Sequence, residues 1–151
     1  MLFQSPLDRC SSIVKKTASS SSVTVLASDP ELQFPVKAGL AYVVWIDLYA
    51  TQSSGTGVEI GALVPTGAQM QLMGIEQSTY SSVAQYTADE TTLSSTQILT
   101  QTAGTTPCVI NACLWVLSPV DGTVAIQFAS VTSLGTVTIT AGSCITIWQA
   151  N

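Results

Sequence analysis

The sequence predicts an all-β fold, a sandwich or jelly roll, preceded by an extended N-terminal arm. Three observations predict it. Apolar and polar residues alternate over short runs, the period of a half-buried strand. Turn signals built from Gly, Pro, Asp and Ser separate those runs at regular spacing. No stretch carries a convincing 3.6-residue helical period. About eight to ten short strands follow from this pattern, the signature of a sandwich or jelly roll.

The first 21 residues differ from the rest. They carry Leu2, Phe3, Pro6, Leu7, Ile13 and Val14 among polar and basic residues, then a run of four serines at 19–22. A serine run favours neither helix nor strand and reads as a flexible linker. Residues 1–21 are therefore expected to form an arm and residues 22–151 the folded domain. Apolar side chains on such an arm are awkward in water. It should lie on its own body, on a neighbouring subunit or on another protein.

The domain opens with the β-branched run at 23–26, and Ser28, Asp29 and Pro30 mark a turn. Leu32, Phe34 and Val36 alternate with Gln33, Pro35 and Lys37. Ala38 and Gly39 turn the chain into its most apolar stretch. There Leu40, Tyr42, Val44, Ile46 and Leu48 share one face of an extended chain. Val43, Trp45 and Tyr49 make the other face apolar as well. Such a strand is buried on both sides, or buried on one side and packed against a partner chain on the other.

Residues 51–57 form a loop. Val58, Ile60, Ala62 and Val64 alternate in the next strand, which ends at Pro65, Thr66 and Gly67. Residues 70–73 and Ile75 suggest another short strand. The polar segment 76–106 is expected to make an excursion, with a short strand or helical turn near 92–99 and anchors at Val83, Tyr86, Leu93, Ile98 and Leu99. Residues 108–117 are a second strongly apolar strand. Asp121 and Gly122 then give a hairpin signal, and Val124, Ile126 and Phe128 line the strand after it. Leu134 and Gly135 turn the chain toward Val137 and Ile139. Residues 144–148 close the domain.

With 151 residues the chain suits one domain that holds a real core. Hydrophobic residues make up 46% and charged residues only 9%, against about 25% charged in an average domain. The surface must then be Ser, Thr, Gln, Gly and Ala, which defends poorly against association. Residues 1–16 carry a net +2 and the remainder −7. An acidic body argues against nucleic acid as partner, while a basic tail can seek an acidic protein surface or stay solvated. The start lacks the apolar run of a secretory signal, and no apolar stretch reaches membrane-spanning length, so synthesis in a cytoplasm and no membrane partner are expected.

Chemistry finds little footing. Histidine is absent, which removes His-based nucleophilic machinery and the commonest metal ligand. Glu59, Glu76, Asp89, Glu90 and Asp47 offer carboxylates without a convergent pattern. Asp47 should cap a backbone amide or face solvent. Cys10, Cys108, Cys113 and Cys144 lack metal-ligand spacing and read as buried thiols. Trp45, Trp115 and Trp148 each sit inside an apolar strand, as core, as subunit interface or as a sugar-stacking platform. No cofactor and no catalytic residue are expected.

The segments ELQFPVKAGLAYVVWIDLYA and VEIGALVPTGAQMQLMGI, and then GTVAIQFAS and TVTITAGSCITIWQAN, resemble in order and spacing a family of small structural proteins of tailed bacteriophages. Phe128 stands where the family pattern has Trp, Gln149, Ala150 and Asn151 replace a basic ending, and 76–106 has no counterpart. The resemblance implies a jelly-roll virion protein that decorates and cements the capsid surface as a homotrimer bound to the major capsid protein. Tail-fibre or receptor-binding modules of similar fold are the alternative. On this reading Leu2, Phe3, Arg9, Ile13, Lys15 and Lys16 of the arm contact the capsid or a neighbouring subunit.

Overall fold

The structure, a computed structural model, describes residues 10–53, 57–79, 98–101 and 108–150, with backbone alone for 74–79, 98–101 and Cys108. It is all-β, a sandwich of two antiparallel sheets. The strands are β1 (Cys10–Val14), β2 (Ser19–Ser21), β3 (Ala27–Val36), β4 (Ala41–Gln52), β5 (Val58–Leu63), β6 (Gln69–Thr79), β7 (Ile98–Gln101), β8 (Cys108–Leu117), β9 (Gly122–Ser130), β10 (Val137–Ile139) and β11 (Cys144–Ala150).

One sheet has β4 at its centre. On one side lie β8 and then β6; on the other lie β11 and β10, followed by β1 and β2. The second sheet has the order β3-β9-β5-β7. Two strands of the first sheet are interrupted at matching points. Between the paired halves, Lys15 N donates to Ser143 O at 2.8 Å and Gly142 N donates to Lys15 O at 2.9 Å, so the ladder continues through the break. With each interrupted pair counted as one strand, the chain pairs end to end with itself: β1/β2 with β10/β11, β3 with β9, β4 with β8, β5 with β7. That is one long antiparallel hairpin rolled into two sheets, with β6 added at an edge.

The core lies between the sheets and is drawn from the inward positions of both. Val44, Ile46, Leu48, Ile110, Leu114, Met70, Leu72 and Ile145 come from the first, and Phe34, Ile60, Val124 and Ile126 from the second; all are buried. The alternation in β4 that the sequence shows is therefore the alternation between core and outside.

Several expectations are corrected. The serine run is a strand rather than a linker. Ser19–Ser21 pairs with β10, and the Ser20 and Thr138 hydroxyls share a 2.7 Å hydrogen bond. The β-branched run at 23–26 is irregular instead, with Val23 and Val25 exposed. Asp121 and Gly122 do not close a hairpin, because β8 and β9 belong to different sheets. The Asp121 carboxylate ties together two corners between sheets. It accepts from Ala38 N at 2.9 Å and from Lys37 Nζ at 2.7 Å, while Gly39, at φ 75°, donates its N–H to Ser118 O at 2.8 Å. At Gly122 a Cβ would stand 2.7 Å from Pro65 Cγ, so close approach excludes a side chain there. The expected strand near 92–99 falls at Ile98–Gln101; Val83, Tyr86 and Leu93 lie outside the described residues.

Candidate functional site

β4 is apolar on both faces, and its neighbours decide what the second face does. The register aligns outward residues in rows across the seven-stranded sheet. Gln71, Trp115, Val43, Trp148 and Cys10 form one row. Met73, Cys113, Trp45, Thr146 and Ser12 form the next, and Glu76, Asn111, Asp47, Cys144 and Val14 a third. All three tryptophans of the chain thus stand on one face. This face points away from the core. Trp45 is 37% exposed, Trp148 40%, Met73 43% and Tyr49 46%, against 0% for the inward Val44, Ile46 and Leu48 of the same strand.

Polar groups on the face are held by one another. Trp45 Nε1 donates to Asp47 Oδ1 at 3.0 Å, and Asn111 Nδ2 donates to the same oxygen. Of the two expectations for Asp47 the outward-facing one holds: among the described residues it caps no backbone amide and is anchored on this face by an indole and an amide side chain. The Ser12 and Thr146 hydroxyls share a 3.2 Å hydrogen bond across β1 and β11. Cys10 is exposed, and Cys113 and Cys144 are half-buried thiols rather than core residues. Burial pushes the Cys113 thiol up. Burial, then the negative charge of Asp47 and the 3.9 Å thiol contact to Asp47 Oδ2, push Cys144 up as well. Raised thiols stay protonated at neutral pH and are poor nucleophiles. Among the described residues no three Cys, Asp or Glu side chains gather as a metal site.

The segment read as an arm is placed as follows. Leu2, Phe3 and Arg9 lie outside the described residues. Residues 10–21 belong to the sandwich through β1 and β2. Ile13 points inward and packs against the core. Lys15 turns inward too, and its side chain has 0% exposure. Its Nζ stands 2.9 Å from Asp29 Oδ1 and 2.7 Å from Oδ2, with Glu31 Oε1 at 3.8 Å. Asp29 also accepts from Ser19 Oγ at 2.6 Å and from the N–H groups of Glu31 and Leu32. Burial pushes the Asp29 carboxyl up, but these hydrogen bonds, led by Lys15, outweigh it and hold it below the usual range. Lys15 is thus a buried fastener between β1 and β3 with no exposed charge to offer a partner. Lys16 is exposed, and its backbone N–H donates to Glu31 Oε2 at 2.8 Å.

The sequence shows the apolar second face of β4. That Trp115, Cys113, Met73 and Trp148 join it depends on register, which no local pattern carries.

No family model matches this chain, and no curated protein matches it. Among solved structures it is similar to the tripod from the baseplate of bacteriophage Tuc2009, with 9% identity over 98% of this chain and 68% of that one, at a TM-score of 0.39. It is also similar to the VP2 subviral particle of infectious bursal disease virus, with 12% identity over 93% of this chain and 39% of that one, at a TM-score of 0.26.

Proposed function

We propose that this chain is a structural protein of a virus particle that acts by contact rather than catalysis. Its specific role is capsid decoration: a homotrimeric jelly-roll subunit that bridges copies of the major capsid protein at the capsid surface. One observation carries the reading. The outer face of the seven-stranded sheet is broad, aromatic and charge-poor, and a face of that kind marks an interaction site. The end-to-end pairing of the chain, β1/β2 with β10/β11 through β5 with β7, supports the jelly-roll winding. The capsid role rests on the resemblance of the segments around β3 and β4, β5 and β6, β9, and β10 and β11 to phage structural proteins.

The mechanism is mechanical. Several modest contacts made by one oligomer act together through effective concentration. Binding the assembled shell alone stabilises that shell by mass action. Leu2, Phe3, Arg9 and Lys16 are proposed to extend these contacts onto the capsid. Ile13 and Lys15 would act indirectly, by holding β1 in place.

A tail-fibre or receptor-binding role is the second reading. It is favoured by Asp47 and Asn111 beside the Trp45 ring, polar groups next to an aromatic surface that can hold a sugar. Co-sedimentation with mature capsid shells stripped of decoration separates the two. Decoration predicts saturable binding at a fixed ratio of about three copies per local three-fold site. Absence of shell binding together with binding to host cells would reverse the assignment.

A further inference from the structure

We infer that the outer face of the seven-stranded sheet is the contact between copies of this chain. The inference rests on the self-association proposed above and names its surface; it does not depend on which particle the assembly joins.

The size fits. With strands about 4.8 Å apart and a rise of about 3.3 Å per residue, the paired lengths of β6, β8, β4, β11 and β1 give a face of about 650 Å². A standard interface uses roughly 600–1,000 Å² per partner. The anatomy fits as well. Trp45, Trp148 and Met73 are exposed on two adjacent rows, and Tyr49 lies two outward positions beyond Trp45 on the same strand; Ser12, Thr146 and Gln71 share the two rows. Interfaces are enriched in aromatic residues and Met at the centre and depleted of Lys and Glu.

Charge selects the occupant. Outside its first sixteen residues the chain carries −7, so two copies repel wherever their acids face each other. By register the outward positions carry two acids, Glu76 and Asp47, both in the row of Asn111, while the two rows that hold the tryptophans carry no charge. The Asp47 carboxylate is already engaged by Trp45 and Asn111. Two acidic bodies can meet along the tryptophan rows without opposing charges. A partner of either charge would find no opposite charge in those two rows.

The test uses the whole chain and its own tryptophans, all of which stand on this face. Light scattering after size exclusion and tryptophan emission are followed together across a dilution series. The expected result is an oligomer that falls to monomer on dilution while the emission shifts red at the same midpoint. Trp45→Thr and Trp148→Thr should each raise that midpoint at least tenfold, with thermal unfolding used to confirm a folded chain. The wild-type dilution series needs no variant, so a variant that fails to fold does not rescue the idea. A wild-type chain that is monomeric at every concentration overturns self-association itself. An oligomer whose midpoint ignores both substitutions leaves self-association standing and overturns this surface. A monomer whose emission shifts on adding purified bacterial lipopolysaccharide assigns the face to glycan instead. A monomer whose tryptophans become more exposed when residues 1–9 are removed assigns it to the chain's own N-terminal segment.

Discussion

Lys15 shows how far a residue's role can depart from its type. A lysine next to Lys16 in a basic, polar stretch reads as a solvated charge. The alternation of β1, with Ile13 inward and Val14 outward, carries on one residue further and turns its side chain inward, onto Asp29 at 2.7 Å. Removing one partner of a buried pair leaves the other charge in the interior without compensation. Lys15→Met is therefore expected to cost about 3–5 kcal/mol, read from the urea midpoint; a loss under about 1 kcal/mol would show that the pair does not hold the fold. Asp29 adds a pH signature. Its carboxyl lies lower in the folded chain than in the unfolded one, so the unfolded chain takes up the proton first as pH falls. The stabilisation is complete above the unfolded value of about 3.9 and is lost below it, as pH drops through the folded value. Melting temperature should stay level from pH 8 to about 5 and fall steeply below about 4. Asp29→Asn should flatten that acid limb, and an unchanged limb would assign it to other carboxylates.

At the scale of elements, β1 and β2 change what the N-terminus can be used for. Neither has a strong strand signal: one is CSSIV and the other three serines. They are strands because β11 and β10 offer them an edge, and Ser12, Ser19 and Ser20 hydrogen-bond to their neighbours. A deletion through residue 16 would remove an edge strand and Lys15 together, so lost capsid binding would report unfolding. Deletion of residues 1–9 is the informative cut. It should leave the melting temperature within a few degrees and weaken shell binding, while deletion through residue 14 should lower the melting temperature markedly. Equal shell occupancy by the wild type and the shorter deletion would remove Leu2, Phe3 and Arg9 from the contact.

For the whole molecule, the decisive property is the contrast between two faces of one strand. The inward residues of β4 close a core shared by both sheets. The outward residues sit at the centre of a surface that a lone chain leaves open to water. Charges make up 9% of the sequence, and the proposed association through the most apolar face would draw on the same composition that makes the core. On the proposed capsid role, a repeating shell would reward that arrangement, because many weak contacts are held in place at once.

The sequence by itself determined the fold class, most strand positions and the identity of the central strand, because alternation and turn chemistry are local and each is readable within about ten residues. It also showed that β4 has two apolar faces and that the chain carries too few charges to be well defended in water. Only the tertiary structure decided which strands pair, and with that the rest. Asp121 and Gly122 carry every local mark of a hairpin, yet they turn a corner between sheets. The serines at 19–21 look like a linker, yet they pair with a strand more than a hundred residues away. Lys15 looks exposed and is buried, and three tryptophans from three strands meet on one surface. Each outcome depends on register between distant segments, which is set by how two sheets close over a common core and leaves no trace in a local window.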